Sequence, residues 1–323
     1  MDLFTPMVEQ NKLHHNFVMT VAPHALGVRK VISDWANGFV DRDGKFIKEF
    51  QTTYNSSFWE LYLYAVMKHF KLDVDFSFAS PDFVIKNRNL IIEAISANHA
   101  HDDVPEWEKT IPGITEGNSF DVFKHSAIRL SNAFSAKVNK YRTNYAQLNH
   151  VKDRPYIIAI SNFSRQDFNL HGDVPLQWLL YDVLEQKSLT KSNDSTVDLG
   201  LFRSNAFQDI SAVLYSSLAT FGKARVLGDD TGDITCHAIR IKNNYEILKI
   251  QANISEYKET LTDGLRLFVN PFAKNPINID DFVNGDIRIF IADKNGDLTV
   301  SCHEDGDLCM RFIDSKFPKH MLK

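Results

Sequence analysis

Cysteine is scarce in this chain. Cys236, Cys302 and Cys309 are the only three in 323 residues. So odd and sparse a set argues against a disulfide framework and fits a reducing compartment. No two of them have the short spacing of a zinc knuckle. In the dipeptides Cys236-His237 and Cys302-His303, neighbouring strand residues point to opposite faces, so zinc is not expected. No apolar run approaches the roughly eighteen residues of a membrane span, and the opening MDLFTPMVEQNKLHH lacks the basic and apolar regions of a secretory signal. A cytoplasmic protein without membrane attachment is the expectation. The absence of a P-loop, of GxGxxG after a strand and of a GxSxG elbow argues against nucleotide hydrolysis, dinucleotide binding and α/β-hydrolase chemistry. An excess of positive charge is missing as well. The net charge of -5 argues against a protein that coats nucleic acid through bulk electrostatics but leaves room for a local basic groove.

What is present is the composition of an ordinary globular protein, 44% hydrophobic and 24% charged, enough for a substantial core. Its organising stretch, Phe50 to Asn98, sets three acids, Glu60, Asp82 and Glu93, in apolar surroundings. In NSSFWELYLYAVMKHF, Phe58, Leu61, Tyr62, Ala65 and Val66 recur at helical spacing, which predicts a helix docked by one stripe. Glu60 has two readings there: a capping box with Ser57, or part of a metal site. Asp82 opens a short strand after Pro81. Glu93 lies in the apolar run LIIEAIS eleven positions later, across a turn at Lys86 to Asn89. A hairpin of that length returns the second strand beside the first, so the two carboxylates meet. A carboxylate inside an apolar strand needs a partner or a metal, because unpaired burial costs on the order of several kcal/mol.

Around this stretch the chain alternates in type. Residues 1–49 carry apolar clusters broken by Pro23, Gly27, Gly38 and Gly44, read as one or two short helices and a turn at 41–44. A helix from about Phe120 to Leu148 precedes the buried strand RPYIIAIS. Then come a helix around Leu176 to Leu184 and a polar, mobile connector, KSLTKSNDSTVDLG. DISAVLYSSLA, from Asp209, is either a further strand of the same sheet or a short buried helix. DITCHAIRIK, LRLFVNPFA and DIRIFIADKNGDLTVSCH make the last third β-rich. A hairpin turn at Lys294-Asn295-Gly296-Asp297 is preferred there over a calcium loop, whose glycine and glutamate are out of place. The expected fold class is α/β in the α+β sense, a mixed central sheet flanked by helices. Three segments are expected: an N-terminal helical arm or extension (1–49), an α/β core (50–225) and a β-rich C-terminal portion (226–323), separate from the core or continuous with it.

Glu60 on a helix, Pro81-Asp82 on one strand, Glu93-Ala94-Ile95 on the next, then a helix and the strand YIIAIS: this order resembles the core of the PD-(D/E)XK nucleases, the restriction-endonuclease-like fold, over about residues 50 to 165. The resemblance implies Mg²⁺ or Mn²⁺ held by Asp82 and Glu93, with Glu60 positioning the metal or its water. It departs at one place. The family's lysine, two positions after the second acid, is here Ile95, on the strand face from which that lysine would act. Either catalysis is lost, leaving a module that binds nucleic acid or a protein partner, or the lysine comes from elsewhere.

The following helix is a source. From Lys124 to Arg154, seven basic residues stand against the single acid Asp153. Arg129, Lys137, Lys140 and Asn144 fall near one another on a helical projection. Lys137 or Lys140 is thus the candidate for the displaced lysine. Lys124, Arg129, Lys137, Lys140 and Arg142 are candidate nucleic-acid contacts, against the alternative of a solvated basic face. His99-x-His101 follows the acidic strand, at a site rim or in a loop without a role; His14, His15 and His24 are expected at the surface or as caps. The expectation is a metal-dependent endonuclease using Glu60, Asp82, Glu93 and Lys137 or Lys140. By resemblance its substrate is DNA, duplex by default, and its role is defence against foreign DNA. A homodimer is a further expectation, since cutting both strands of a duplex needs two active sites or a repositioning.

Overall fold

A computed structural model describes residues 1–100, 103–108, 119–228, 234–283, 285–301, 303 and 305–315. The chain opens with helices α1 (His15–Val21), α2 (Leu26–Ala36), α3 (Phe46–Thr52) and α4 (Tyr54–His69). Where a single docked stripe was expected, α4 buries Tyr54, Phe58, Trp59, Leu61, Tyr62, Leu63 and Ala65 all round its axis. Helices α1 to α3 pack on it, and the Trp59 indole N–H donates to the Ala159 carbonyl of the sheet at 3.1 Å. Ser57 and Glu60 form no capping box. The helix begins at Tyr54, Ser57 is buried within it, and Glu60 lies nearly two turns inside.

After α4 come β1 (Val74–Asp75), β2 (Phe83–Ile85), β3 (Leu90–Asn98), α5 (Ser119–Lys140), β4 (Tyr156–Phe163) and α6 (Val174–Tyr181). Then follow β5 (Ser188–Thr190), β6 (Thr196–Asp198), β7 (Ala212–Ser216), α7 (Phe221–Leu227), β8 (Ile234–Ile241), β9 (Ile247–Asn253), β10 (Arg266–Val269), β11 (Arg288–Ala292), β12 (Leu298–Ser301) and β13 (Asp307–Ser315). One mixed sheet runs in the order β1-β2-β3-β4-β7-β10-β11-β12, as the fold-class expectation required. Within it β2 and β3 are antiparallel, β3, β4 and β7 run parallel, and β10 is antiparallel to β7. Side-chain alternation sends Phe83, Ile85, Ile92, Ala94, Ile157 and Leu214 into the apolar cluster shared with α1 to α4. Val84, Ile91, Ile158, Ile160 and Val213 enter the cluster shared with α5 and α6 on the other face.

Residues 1–49 join the first cluster through Phe17, Val28, Ile32 and Trp35. The last third supplies β10, β11 and β12 to the same sheet and forms a second, antiparallel sheet, β13-β8-β9. The ambiguous run from Asp209 contains β7, every residue of which is buried. The polar connector is a hairpin, β5 with β6, held down because Leu189, Val197 and Leu199 reach the α5-side cluster. Helix α6 stops at Tyr181, short of Leu184. Asp182 takes a left-handed φ of 49° and its carboxylate accepts the N–H groups of Gln186 and Lys187. Helix α5 gives way after Lys140 to one π turn, Tyr141–Tyr145, before the expected end at Leu148. At the β11–β12 turn the Asp293 carboxylate accepts the N–H groups of Asn295, Gly296 and Asp297, which closes the expected hairpin. No helix among the described residues is long and apolar enough to cross a membrane.

Candidate functional site

Phe83 pairs with Ile92 in the β2–β3 ladder, so one step further Asp82 stands opposite Glu93. The Asp82 N–H donates to Glu93 Oε2 at 3.0 Å, and the Ala94 N–H donates to Asp82 Oδ2 at 2.8 Å. Glu93 is 0% exposed and alternates with Ile92 and Ala94, which places it on the α5 side together with Ile95. Lys137 and Lys140 reach it from α5. Their Nζ atoms donate to Glu93 Oε1 at 2.7 and 3.0 Å, and Lys137 also lies 3.9 Å from Asp82 Oδ2.

Tyr145, which the sequence reading passed over, donates its hydroxyl to the same Glu93 oxygen at 3.3 Å. Its position follows from the π turn. An i to i+5 repeat brings Tyr145 back beneath Lys140, whose Nζ lies 5.1 Å from the ring centre. An α-helical projection would instead bring Asn144 inward, and that residue is exposed. Arg42 was also missed. It donates to the Phe78 and Pro81 carbonyls at 2.7 and 3.2 Å and so fixes the segment that delivers Asp82.

Charge is unevenly shared among the acids. Burial pushes Glu93 up, but Lys137 and Lys140 outweigh it and hold the carboxyl below its usual range. Burial, with the Glu93 charge adding, pushes Asp82 up to about 6. Burial and Asp82 push Glu60 up to about 8. Burial acts to lower Lys140, yet hydrogen bonding to Tyr145 and the Glu93 charge raise it. At neutral pH Glu93 and, in the main, Asp82 therefore carry the negative charge of the cluster, while Glu60 stays largely protonated.

The other sequence candidates are placed differently. Arg129 donates to the Asn98 and His99 carbonyls at the end of β3. Arg142 is not brought to the cluster: it makes a two-pronged ion pair with Asp209 at 2.6 and 2.8 Å and lies over Phe207. Lys124 is half-buried on α5, about 20 Å along the helix from Lys137. His99 bonds Glu106 at 3.2 Å, and His14 and His15 lie against Trp107. Cys236 and Cys309 are buried on β8 and β13. His101 and Cys302 lie outside the described residues.

Among the described residues no three His, Cys, Asp or Glu side chains converge as metal ligands, so Glu60 stands beside the Asp82–Glu93 pair and not with it. Two carboxylates are an all-oxygen donor set. That suits Mg²⁺, which binds through one or two carboxylates and keeps several waters. Asp82 and Glu60 are raised chiefly by burial and by a neighbouring carboxylate, which outweigh the lowering by Lys137. The pair fits such an ion once Lys137 and Lys140 release Glu93 Oε1, which now receives three donors. No family model, characterised protein or solved structure matches this chain.

Proposed function

We propose that this chain is a metal-dependent nuclease of the PD-(D/E)XK kind that hydrolyses phosphodiester bonds in DNA. One observation carries the reading: Lys137 arrives from α5 within 2.7 Å of Glu93 and 3.9 Å of Asp82, on the strand face that Ile95 leaves uncharged. The element order supports the restriction-endonuclease-like assignment: an acid-bearing helix, an antiparallel hairpin with two facing acids, a helix, then a strand parallel to the second. In this reading Asp82 and Glu93 hold Mg²⁺ or Mn²⁺, which when bound polarises a phosphodiester oxygen and lowers the pKa of a coordinated water. Lys137, the less exposed of the two lysines, binds an oxygen of the scissile phosphate and the charge that develops there. Lys140 and Tyr145 lie together beside it, both on Glu93 Oε1. Glu60, at about 8, holds or passes a proton at neutral pH.

A second reading, a nuclease-like module that binds nucleic acid or a protein partner without catalysis, draws on the saturation of Glu93 Oε1 by protein donors. Plasmid nicking with Mg²⁺ or Mn²⁺ separates the two, comparing the native chain with Asp82→Asn and Glu93→Gln. Nicking by the native protein that both variants lose supports the enzyme. DNA binding by the native protein with no nicking in either metal overturns it and supports the module.

A further inference from the structure

Both oxygens of Glu93, a residue that is 0% exposed, are occupied by the protein itself. Oε1 accepts Lys137 Nζ at 2.7 Å, Lys140 Nζ at 3.0 Å and the Tyr145 hydroxyl at 3.3 Å, while Oε2 accepts the Asp82 N–H at 3.0 Å. The two ammoniums differ from the other donors in charge and in freedom. The Asp82 N–H belongs to the backbone entering β2, and Tyr145 is buried on the π turn. Each lysine instead carries a compact charge on a flexible four-carbon stem. The Lys140 side chain is 42% exposed against 14% for Lys137, so the cluster borders solvent on the Lys140 side. A metal that took Oε1 as a ligand would share one oxygen with two like charges, where burial weakens the screening between them. Lys137 and Lys140 therefore compete with the metal for the same carboxylate.

We propose that Lys137 and Lys140 latch the site: in the free protein they hold Glu93 and keep a divalent metal weakly bound, and a nucleic-acid phosphate frees Glu93 by taking the ammoniums. The metal and the strand rest on the nuclease reading; the latch itself rests on the shared oxygen. Lysine suits such an exchange, because a carboxylate and a phosphate oxygen are alternative acceptors for one ammonium. Tyr145 keeps its bond to Oε1 when the lysines leave, so the carboxylate stays oriented. Metal and strand then bind with positive coupling, and linkage makes the effect reciprocal: the factor the strand adds to metal affinity, the metal adds to strand affinity. The protein is thereby kept from loading metal until a strand is in place.

The test is Mn²⁺ binding, followed by loss of the free-ion EPR signal, with and without a phosphorothioate duplex that resists hydrolysis, the duplex alone serving as the blank. Native protein should bind Mn²⁺ about tenfold more tightly with the duplex, a factor ordinary for coupled sites. Lys140→Ala, at a half-exposed position that leaves the fold intact, should bind Mn²⁺ several-fold more tightly than the native chain when no duplex is present, and should gain correspondingly less from the duplex. Equal Mn²⁺ affinity with and without bound duplex overturns the latch. So does a Lys140→Ala protein that binds Mn²⁺ no more tightly than the native chain, since the lysine then does not compete. Sulfate in place of the duplex should give little change; a gain as large as the duplex gives overturns the role of the strand. A native chain that nicks DNA with uncoupled Mn²⁺ binding keeps the nuclease reading and removes the latch, whereas coupled binding without nicking keeps the latch and removes the catalysis. A chain that binds neither Mn²⁺ nor duplex removes both.

Discussion

Removing Lys137 and Lys140, singly and together, measures how Glu93 stays charged inside the sheet. Lys137 is 14% exposed and makes a 2.7 Å bond to a fully buried carboxylate. Losing one such charge-assisted bond, with the other donors in place, should cost about 2 kcal/mol. Lys140 is 42% exposed, so solvent screens its contribution and its removal should cost about 0.5–1 kcal/mol. With both gone, Glu93 keeps only the Tyr145 hydroxyl and the Asp82 N–H. A buried charge without a counter-ion is penalised by about 3–5 kcal/mol, so the double variant should lose about 1 kcal/mol more than the two singles combined. The pH dependence has a definite sign. In the native chain Glu93 is held below its ordinary value, and its contribution is present above about 4.5 and lost as pH falls through the folded value. In the double variant burial prevails, the folded pKa lies above the unfolded one, and stability is lost as pH rises. Urea unfolding at pH 5 to 8 should therefore show a deficit that grows with pH. Singles that add to within about 0.5 kcal/mol, with a deficit flat in pH, would refute a shared Glu93.

The raised acids make a related prediction. Asp82, pushed up to about 6, and Glu60, pushed up to about 8, favour the native state at low pH, and that advantage is lost as pH rises through those values. Asp82→Asn and Glu60→Gln should flatten thermal stability between pH 5 and 9; unchanged profiles would count against the burial that raises them. Millimolar Mg²⁺ should raise Tm more at pH 8 than at pH 5.5, because only ionised carboxylates bind it. No shift at either pH would remove the metal from the reading. Arg142→Ala should cost under about 1 kcal/mol and leave DNA affinity untouched, since its partner is Asp209. A loss of affinity equal to that of Lys140→Ala would put Arg142 on the nucleic acid after all.

The meeting of Asp82 and Glu93 was legible because a strand repeats every two residues and the hairpin length sets which residues face each other. Lys137 and Lys140 were legible for a similar reason, as both lie on the regular part of α5. Tyr145 was not, because the π turn changes the repeat after Lys140 and nothing local announces it. Ser57 and Glu60 have the spacing of a capping box, but the same spacing occurs inside any helix, and only the start at Tyr54 distinguishes the two. Arg42 acts through backbone carbonyls nearly forty residues away, a contact with no pattern in the chain. The strand character of β10 to β12 was plain; their membership in the main sheet is a long-range choice of partner that local sequence does not encode.

That partner choice shapes how the chain emerges during synthesis. Strand β7 lies between β4, complete by Phe163, and β10, which begins at Arg266, some fifty residues after β7 ends at Ser216. At roughly 5–20 residues per second, the β10-facing edge of β7 waits about 3 to 10 seconds for its neighbour. During that interval every residue from Glu60 to Tyr145 is already made, so the carboxylate–lysine cluster can assemble while the apolar strand AVLYS still offers unpaired N–H and C=O groups. Any shortened form that stops before β10 keeps that edge open permanently and should aggregate through it.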